Sequence, residues 1–146
     1  MDVTALPFNR LVGIVRSEKD GGGLTLPADV RYTNHLGTVH AGALLALAEA
    51  ASGEFMLKEF AGLGFEVLPV VRRLEAKFRK PAHGAIVASV RMTPDQRNDF
   101  VATLTTKGRA LAELDVDVHD ESGTHALAAK IEWFVARKEM PATLAV

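Results

Sequence analysis

The stretch Asn34-His35-Leu36-Gly37-Thr38-Val39-His40-Ala41-Gly42, which continues into Ala43-Leu44-Leu45-Ala46-Leu47-Ala48-Glu49-Ala50-Ala51, decides the fold of this chain. From Ala41 to Ala51, every residue except Glu49 is Ala, Gly or Leu. The stretch therefore predicts a helix that is apolar all round, and such a helix is normally buried. A buried carboxylate without a partner is costly, or it changes its pKa. Glu49 is thus expected to have a use, unless it reaches the surface or pairs with an arginine.

The polar residues around this helix follow a recognisable spacing. Asn34, His40, Gly42 and Glu49 fit Asn-x5-His-Ala-Gly-x6-Glu. This spacing resembles the signature of the hotdog-fold acyl-CoA thioesterases of the PaaI type, which reads Asn-x5-His-Gly-Gly followed by an acidic residue on the central helix. Ala41 stands where these enzymes have their first glycine.

Two later segments carry the same resemblance, which spans roughly residues 10 to 136. Phe78-Arg79-Lys80-Pro81-Ala82 is similar to the family's Phe-x-x-Pro-Ala strand end. Gly108-Arg109-Ala110-Leu111-Ala112 is similar to its Gly-Arg hairpin.

Composition narrows the class of protein. The 146 residues, 48% hydrophobic and 24% charged, suit one globular domain. A net charge of −1 gives no electrostatic reason to expect nucleic acid or an anionic membrane as a partner. The absence of cysteine excludes disulfides, thiolate zinc sites and a cysteine nucleophile. The first ten residues do not resemble a signal peptide, and the apolar helix is too short to span a bilayer, so we expect a cytoplasmic protein.

The second half of the chain reads as a series of strands. Alternation is clearest where Ala112, Leu114, Val116 and Val118 face one way and charged residues face the other. In the strand from Pro69 to Phe78, we place Val70, Leu74, Ala76 and Phe78 on one face. The full set of expected β segments is 11–15, 24–30, 69–78, 85–92, 100–106, 112–118 and 127–135, with Pro27 suggesting an edge strand.

One long helix followed by a meander of strands predicts an α+β domain, in which a curved antiparallel sheet wraps a central helix. We expect a single domain over residues 1–136 and a tail over residues 137–146. One small sheet cannot cover an apolar helix on every side, so a second subunit is the natural cover. The resemblance similarly implies the hotdog fold, sheets paired edge to edge in a homodimer or homotetramer, and active sites at the dimer interface.

The resemblance also implies the chemistry. An acyl-CoA thioester would be hydrolysed with its carbonyl held at the helix N-terminus, where Ala41 and Gly42 leave the backbone N–H groups accessible. Glu49, from the other subunit, would activate water or attack the carbonyl directly. Asn34 would hold the water or the carbonyl oxygen, and His40 would orient that oxygen. No cofactor or metal is expected.

Binding residues and alternatives complete the expectation. Arg72, Arg73, Arg79 and Lys80 are candidates for the phosphates of CoA, with a solvated strand face as the alternative. Related enzymes often carry a serine or threonine on the strand after the helix, near the position of Val71, and this chain has no hydroxyl between Glu66 and Pro81. A non-catalytic acyl-CoA or fatty-acyl binding module is therefore the second candidate function. The third is an acyl-thioester dehydratase or hydratase.

Overall fold

The computed structural model describes residues 1–19 and 21–138. One long helix, α2 (Ala41–Glu59), lies against a six-stranded antiparallel sheet, as predicted. The strands are β1 (Val15–Arg16), β2 (Leu24–Leu26), β3 (Val67–Phe78), β4 (Ile86–Arg91), β5 (Arg109–Asp120) and β6 (His125–Arg137). Two further helices are α1 (Pro7–Val12) and α3 (Pro94–Lys107), and single 3-10 turns lie at Val3–Ala5 and Val30–Tyr32.

The strand order β1-β2-β4-β5-β6-β3 puts the strand that follows α2 at the far edge of the sheet. Within the described residues β3 therefore pairs only with β6, and the other edge of this twelve-residue strand has no partner there. A long exposed edge is a ready template for pairing with another strand. β1, at the opposite edge, has two residues.

The core lies between α2 and one face of the sheet. The predicted inward residues of β5 are all buried, with Leu114 and Val118 fully so. Leu47 and Ala48 of α2 are also fully buried. The side of α2 that carries Glu49 is different, because the chain itself leaves it partly open: Gly42, Leu45, Ala46, Glu49 and Gly53 all keep some solvent exposure.

The expectation of strands at 100–106 and 11–15 is wrong. Residues 100–106 lie inside α3, which begins with a capping box in which Thr93 and Gln96 satisfy each other's backbone N–H groups. Gly108 ends this helix at φ +70° and leads directly into β5, so it makes a helix C-cap and not a hairpin. Residues 7–12 form α1, and of the expected segment 11–15 only Val15 lies in a strand, β1.

The expected faces of β3 are wrong at Val70, and Pro27 marks no edge. A bulge between Val71 and Arg73 shifts the register against β6, so the alternation changes phase there. Val70 is 60% exposed, whereas Leu74, beyond the bulge, is partly buried. Pro27 follows β2, which lies between β1 and β4. The expected C-terminal tail falls almost entirely outside the described residues.

Candidate functional site

The N-terminus of α2 is held by backbone bonds from two sides. His40 N donates to Tyr32 O at 2.7 Å, and Val39 N donates to Ala82 O at 2.9 Å. The Pro-Ala segment after β3 thus anchors the start of the helix. His40 is the N-cap, and its Nδ1 accepts a hydrogen bond from Gly42 N at 2.9 Å. His40 therefore satisfies one of the free N–H groups that a helix start exposes.

The backbone N–H of Ala41 keeps its hydrogen-bonding capacity. It precedes the first turn's hydrogen bonds, and it donates to no acceptor within residues 1–19 and 21–138. Gly42 is small for a local reason, because a Cβ there would lie 3.1 Å from His40 Nδ1. Of the two small residues at the helix start, Ala41 is thus the one whose N–H is open to a ligand.

Asn34 is occupied with its own turn. Its Oδ1 accepts from Leu36 N at 2.9 Å and from Thr38 N at 3.2 Å, and its Nδ2 donates to Thr38 Oγ1 at 2.9 Å. These bonds shape the loop that leads into α2. They are local, as expected for an Asx turn.

Glu49 lines a large apolar cleft of about 680 Å³ between α2, β3 and the N-terminal segment. Burial raises the pKa of the Glu49 carboxyl. Within the described residues its carboxylate has neither a hydrogen-bond donor nor a cation within ion-pair distance. The alternative that Glu49 pairs with an arginine is therefore wrong for this part of the chain.

Glu54, five residues further along α2, is the carboxylate that pairs. Arg16 Nη1 donates to Glu54 Oε1 at 2.5 Å, and Lys58 Nζ lies 3.4 Å from the same oxygen. The sequence analysis missed Glu54. Its signal was available, because four apolar or small residues separate it from Glu49 and Lys58 follows at the i+4 position.

The floor of the cleft is Trp133, the single tryptophan of the chain. Its Nε1 donates to Ser52 Oγ at 3.0 Å, and Ser52 Oγ donates to Glu49 O at 2.8 Å. A Cβ on Gly53 would lie 3.3 Å from the indole ring, so glycine leaves room for the ring to pack against the helix. The segment that carries Glu49 thus also fixes the position of Trp133.

A single chain does not bring the expected site residues together. Asn34 and Ala41 line a cavity of about 300 Å³ beside the end of β3, and His40 and Gly42 line another of about 310 Å³ beside α1. Glu49 lines neither of these. The separation follows from the helix itself, since eight residues from Ala41 to Glu49 advance about 12 Å.

The four candidate phosphate ligands divide into two pairs. Arg79 and Lys80 line the cavity that Asn34 and Ala41 also line. Arg72 and Arg73 lie elsewhere on β3, and both guanidinium groups are within 3.7 Å of Glu132 on β6. Arg72 and Arg73 therefore share one carboxylate on the neighbouring strand, which offsets part of their positive charge.

A second charged cluster joins β4, β5 and β6. Asp117 accepts from Arg91 Nη1 at 2.5 Å and lies 2.8 Å from His125 Nε2. Burial raises the pKa of Asp117, but the bonds from Arg91 and His125 outweigh it and leave that pKa below its ordinary value. No group of three His, Asp or Glu in the described part of the chain could hold a metal ion. No helix there is long and apolar enough to cross a membrane.

Comparisons with known proteins agree with this architecture. A probable thioesterase from Pseudomonas aeruginosa superposes with a TM-score of 0.76 at 22% identity, over 93% of this chain and 91% of that one. The thioesterase HI1161 from Haemophilus influenzae gives 0.65 at 17%, over 92% and 86%. The BH2602 protein from Bacillus halodurans, crystallised with CoA, gives 0.64 at 20%, over 88% and 74%.

No functionally curated protein matches the sequence. Residues 8–135 match the family described as Domain of unknown function (DUF4442). The match covers most of the chain, and the predicted hotdog fold is confirmed by its structural relatives, while the PaaI subtype is not. The chain therefore belongs to the DUF4442 family and has the hotdog fold.

Proposed function

We propose that this protein hydrolyses acyl-CoA thioesters, with Glu49 as the general base or nucleophile. The observation that carries the proposal is the contrast along α2 between Glu54, which is paired, and Glu49, which lies unpaired on the wall of an apolar cleft. A carboxylate whose pKa is raised by burial is better matched to proton transfer near neutral pH. The fold shared with proteins called thioesterases supports the same reaction class.

The electrophilic half of the site is the start of α2. The free N–H of Ala41 and the positive end of the helix dipole would stabilise the oxyanion that forms when the thioester carbonyl is attacked. His40 keeps the helix start in shape by accepting from Gly42, and Asn34 holds the preceding loop. We therefore assign Ala41 to the carbonyl oxygen and the other three residues to positioning.

The two halves meet when a second copy of the chain pairs through β3. Glu49 lies beside β3, and β3 has twelve residues of free edge and exposed apolar side chains at Leu68 and Val70. On the partly open side of α2, Glu49 and Gly53 line this cleft, whereas Gly42 and Ala46 line the cavity beside α1. A homodimer with continuous sheets would cover this surface and bring the helix start of one subunit toward Glu49 of the other.

Arg79 and Lys80 are the best candidates for the phosphates of CoA. They line the same cavity as Ala41, so a CoA bound by them would present its thioester near the helix start. Neither side chain is held by an acidic group within the described residues. Arg72 and Arg73 are weaker candidates because Glu132 already faces both.

A non-catalytic acyl-CoA binding module remains the alternative, favoured by one specific feature. β3 offers no hydroxyl near Val71 to position a water molecule. A dehydratase or hydratase is less well supported, because the histidine at the helix start uses its Nδ1 to cap the helix.

The deciding experiment compares thiol release from a panel of acyl-CoAs by the wild type and by Glu49→Gln. For a thioesterase, the substitution should lower the rate by about 10²–10⁴-fold, and calorimetry should show that acyl-CoA still binds. Glu113→Gln is a matched control, because it makes the same change on β5, where Glu113 lines neither the cleft nor the cavities at the start of α2. A binding module would release thiol in neither form, and a dehydratase would change the enoyl double bond without releasing thiol.

A further inference from the structure

We propose that the cleft beside Glu49 selects a straight-chain acyl group of about eight to ten carbons, with Leu57 and Trp133 setting the length. The inference rests on the proposed function, and it adds the substrate class. The expected chain length follows from the shape and lining of the cleft, since thioester hydrolysis itself requires no particular acyl chain.

The lining of the cleft is apolar on three sides. α2 contributes Ala50 and Leu57, β3 contributes Val67 and Val71, and Trp133 lies on the floor. Glu49 and Asn9 are the polar side chains among the lining residues, and the Asn9 amide is committed to Val3 O at 2.9 Å. No other side chain of this lining would bind a second charge or a chain of hydroxyl groups. A hydrocarbon chain is the chemistry that fits.

The length of the walls bounds the length of the chain. From Glu49 to Leu57, eight residues of helix advance about 12 Å. The lining part of β3, from Val67 to Val71, extends about 13 Å. An extended chain advances about 1.2 Å per bond, since the three backbone bonds of a residue span about 3.5 Å, so 12 Å holds about ten bonds. Leu57 is the lining residue of α2 furthest from Glu49.

The third wall is the N-terminal segment, from which Val3 and Leu6 line the cleft. Arg16 Nη2 binds Asp2 Oδ1 at 3.0 Å while Nη1 holds Glu54 of α2. The segment is thereby tied to the same helix that carries Glu49. The ion pairs thus hold the N-terminal wall to α2, and the hydrogen bond from Trp133 to Ser52 holds the floor to the same helix.

The test uses Trp133 fluorescence, which reports occupation of the cleft without any reaction. Neutral 1-alkanols of four to fourteen carbons are titrated into the full-length protein, so that the charge of Glu49 does not oppose the probe. The Kd should fall about fourfold for each methylene and should level off near ten carbons. Affinity that rises without a break through fourteen carbons, or no change in fluorescence with any alkanol, would overturn the inference.

Variants locate the end of the cleft. Leu57→Phe should move the break to shorter chains, and the loss of two methylenes should weaken decanol binding about 15-fold. If Leu57→Phe does not fold, Leu57→Ala should move the break to longer chains. Phe134→Ala is the control, because Phe134 neighbours Trp133 in sequence but lies exposed on the opposite face of the sheet. An unmoved break in the Leu57 variants would overturn the assignment.

Hydrolysis of acyl-CoAs of the same lengths separates the two proposals. If alkanol binding shows the break but no acyl-CoA releases thiol, the proposed hydrolysis fails and the acyl-chain site stands. If thiol is released with the same kcat/KM at every length, hydrolysis stands and the length selection is wrong. If kcat/KM is highest at eight to ten carbons and Leu57→Phe moves that maximum to shorter chains, both the hydrolysis and the length selection are supported.

Discussion

Arg16 Nη1 donates to Glu54 Oε1 over 2.5 Å, while Glu49, five residues earlier on the same helix, meets no cation within the described residues. The two carboxylates share one helix but point to different sides of it, since five residues turn an α-helix through about 140° beyond one full turn. Glu54 is paired with two cations, Arg16 from β1 and Lys58 from the next turn of α2. Glu49 instead lines the apolar cleft. This difference is the reason for assigning the role of general base or nucleophile to Glu49.

Arg16→Gln should destabilise the protein more than Glu54→Gln does. The Glu54 side chain is 10% exposed, so removal of Arg16 leaves a buried carboxylate with Lys58 alone at 3.4 Å. Such a loss costs about 1–3 kcal/mol. Glu54→Gln instead frees an arginine that is 41% exposed and can be solvated by water. Urea denaturation of both variants measures the difference, and equal losses would contradict the argument.

The stability of Glu49→Gln relative to wild type should rise with pH. Burial raises the pKa of Glu49 above its ordinary value of 4.5. The protonated carboxyl therefore favours the folded state below that value, and this contribution is lost as the pH rises through the raised, folded-state pKa. Glutamine stays neutral throughout. Urea midpoints of the two proteins are measured from pH 3 to pH 8. They should be similar at low pH, and as the pH rises the midpoint of the variant should become the higher one. A difference between the midpoints that stays constant with pH would exclude a raised pKa.

Leu47→Asp should abolish folding or assembly, and Leu44→Asp should do the same. Leu47 is fully buried and Leu44 is 4% exposed, so either change places an unpaired charge in the core. Leu111→Asp is the matched control, because Leu111 is 46% exposed on the outer face of the sheet. Circular dichroism melts compare the three variants. Wild-type melting by either core variant would contradict the assigned burial.

How far the sequence predicted this fold depends on the kind of signal. The α2 helix was predicted from its unbroken run of alanine and leucine, and β5 was predicted from its unbroken alternation. α3 was missed because Val101, Thr103, Thr105 and Thr106 favour strands by propensity, although Thr93-Pro94 and Gly108 are start and stop signals of a helix. The phase of β3 was wrong because Leu68 and Val70, which are exposed, are as apolar as the inward residues and hide the change of phase at the bulge.

Only part of the candidate site could be predicted from the sequence. Glu49 was singled out because it is the one carboxylate in an apolar stretch of helix. A functional role was predicted for it on that ground, and the structure shows that it lines an apolar cleft. The roles of Trp133, Ser52 and Arg16 were not predictable, since each depends on contacts between residues distant in sequence. The occupation of Asn34 by its own loop also required coordinates, because the same residue type serves turns and ligands alike.

Ala41→Pro should remove hydrolysis while preserving the helix. Ala41 is the first residue of α2, where proline is favoured because its missing N–H is not needed by the helix. The preceding His40 is already extended, at φ −64° and ψ 139°, as a residue before proline must be. Loss of one oxyanion donor costs about 10²–10³-fold in kcat. Ala41→Ser, which keeps the N–H, is the control; thiol-release kinetics at near-wild-type rates in Ala41→Pro would show that this N–H is not used.

Mixing Glu49→Gln with Ala41→Pro should restore activity if the site spans two subunits. Each homodimer lacks one half of every site, whereas a mixed dimer has one site with both halves intact and one with neither. After random exchange of subunits, half of the dimers are mixed, so about one quarter of the wild-type sites return. Thiol release measured after co-refolding reports this recovery, and sedimentation of each variant confirms that dimers are present. If both halves came from one chain, no combination would contain an intact site, and the mixture would stay as inactive as its parents.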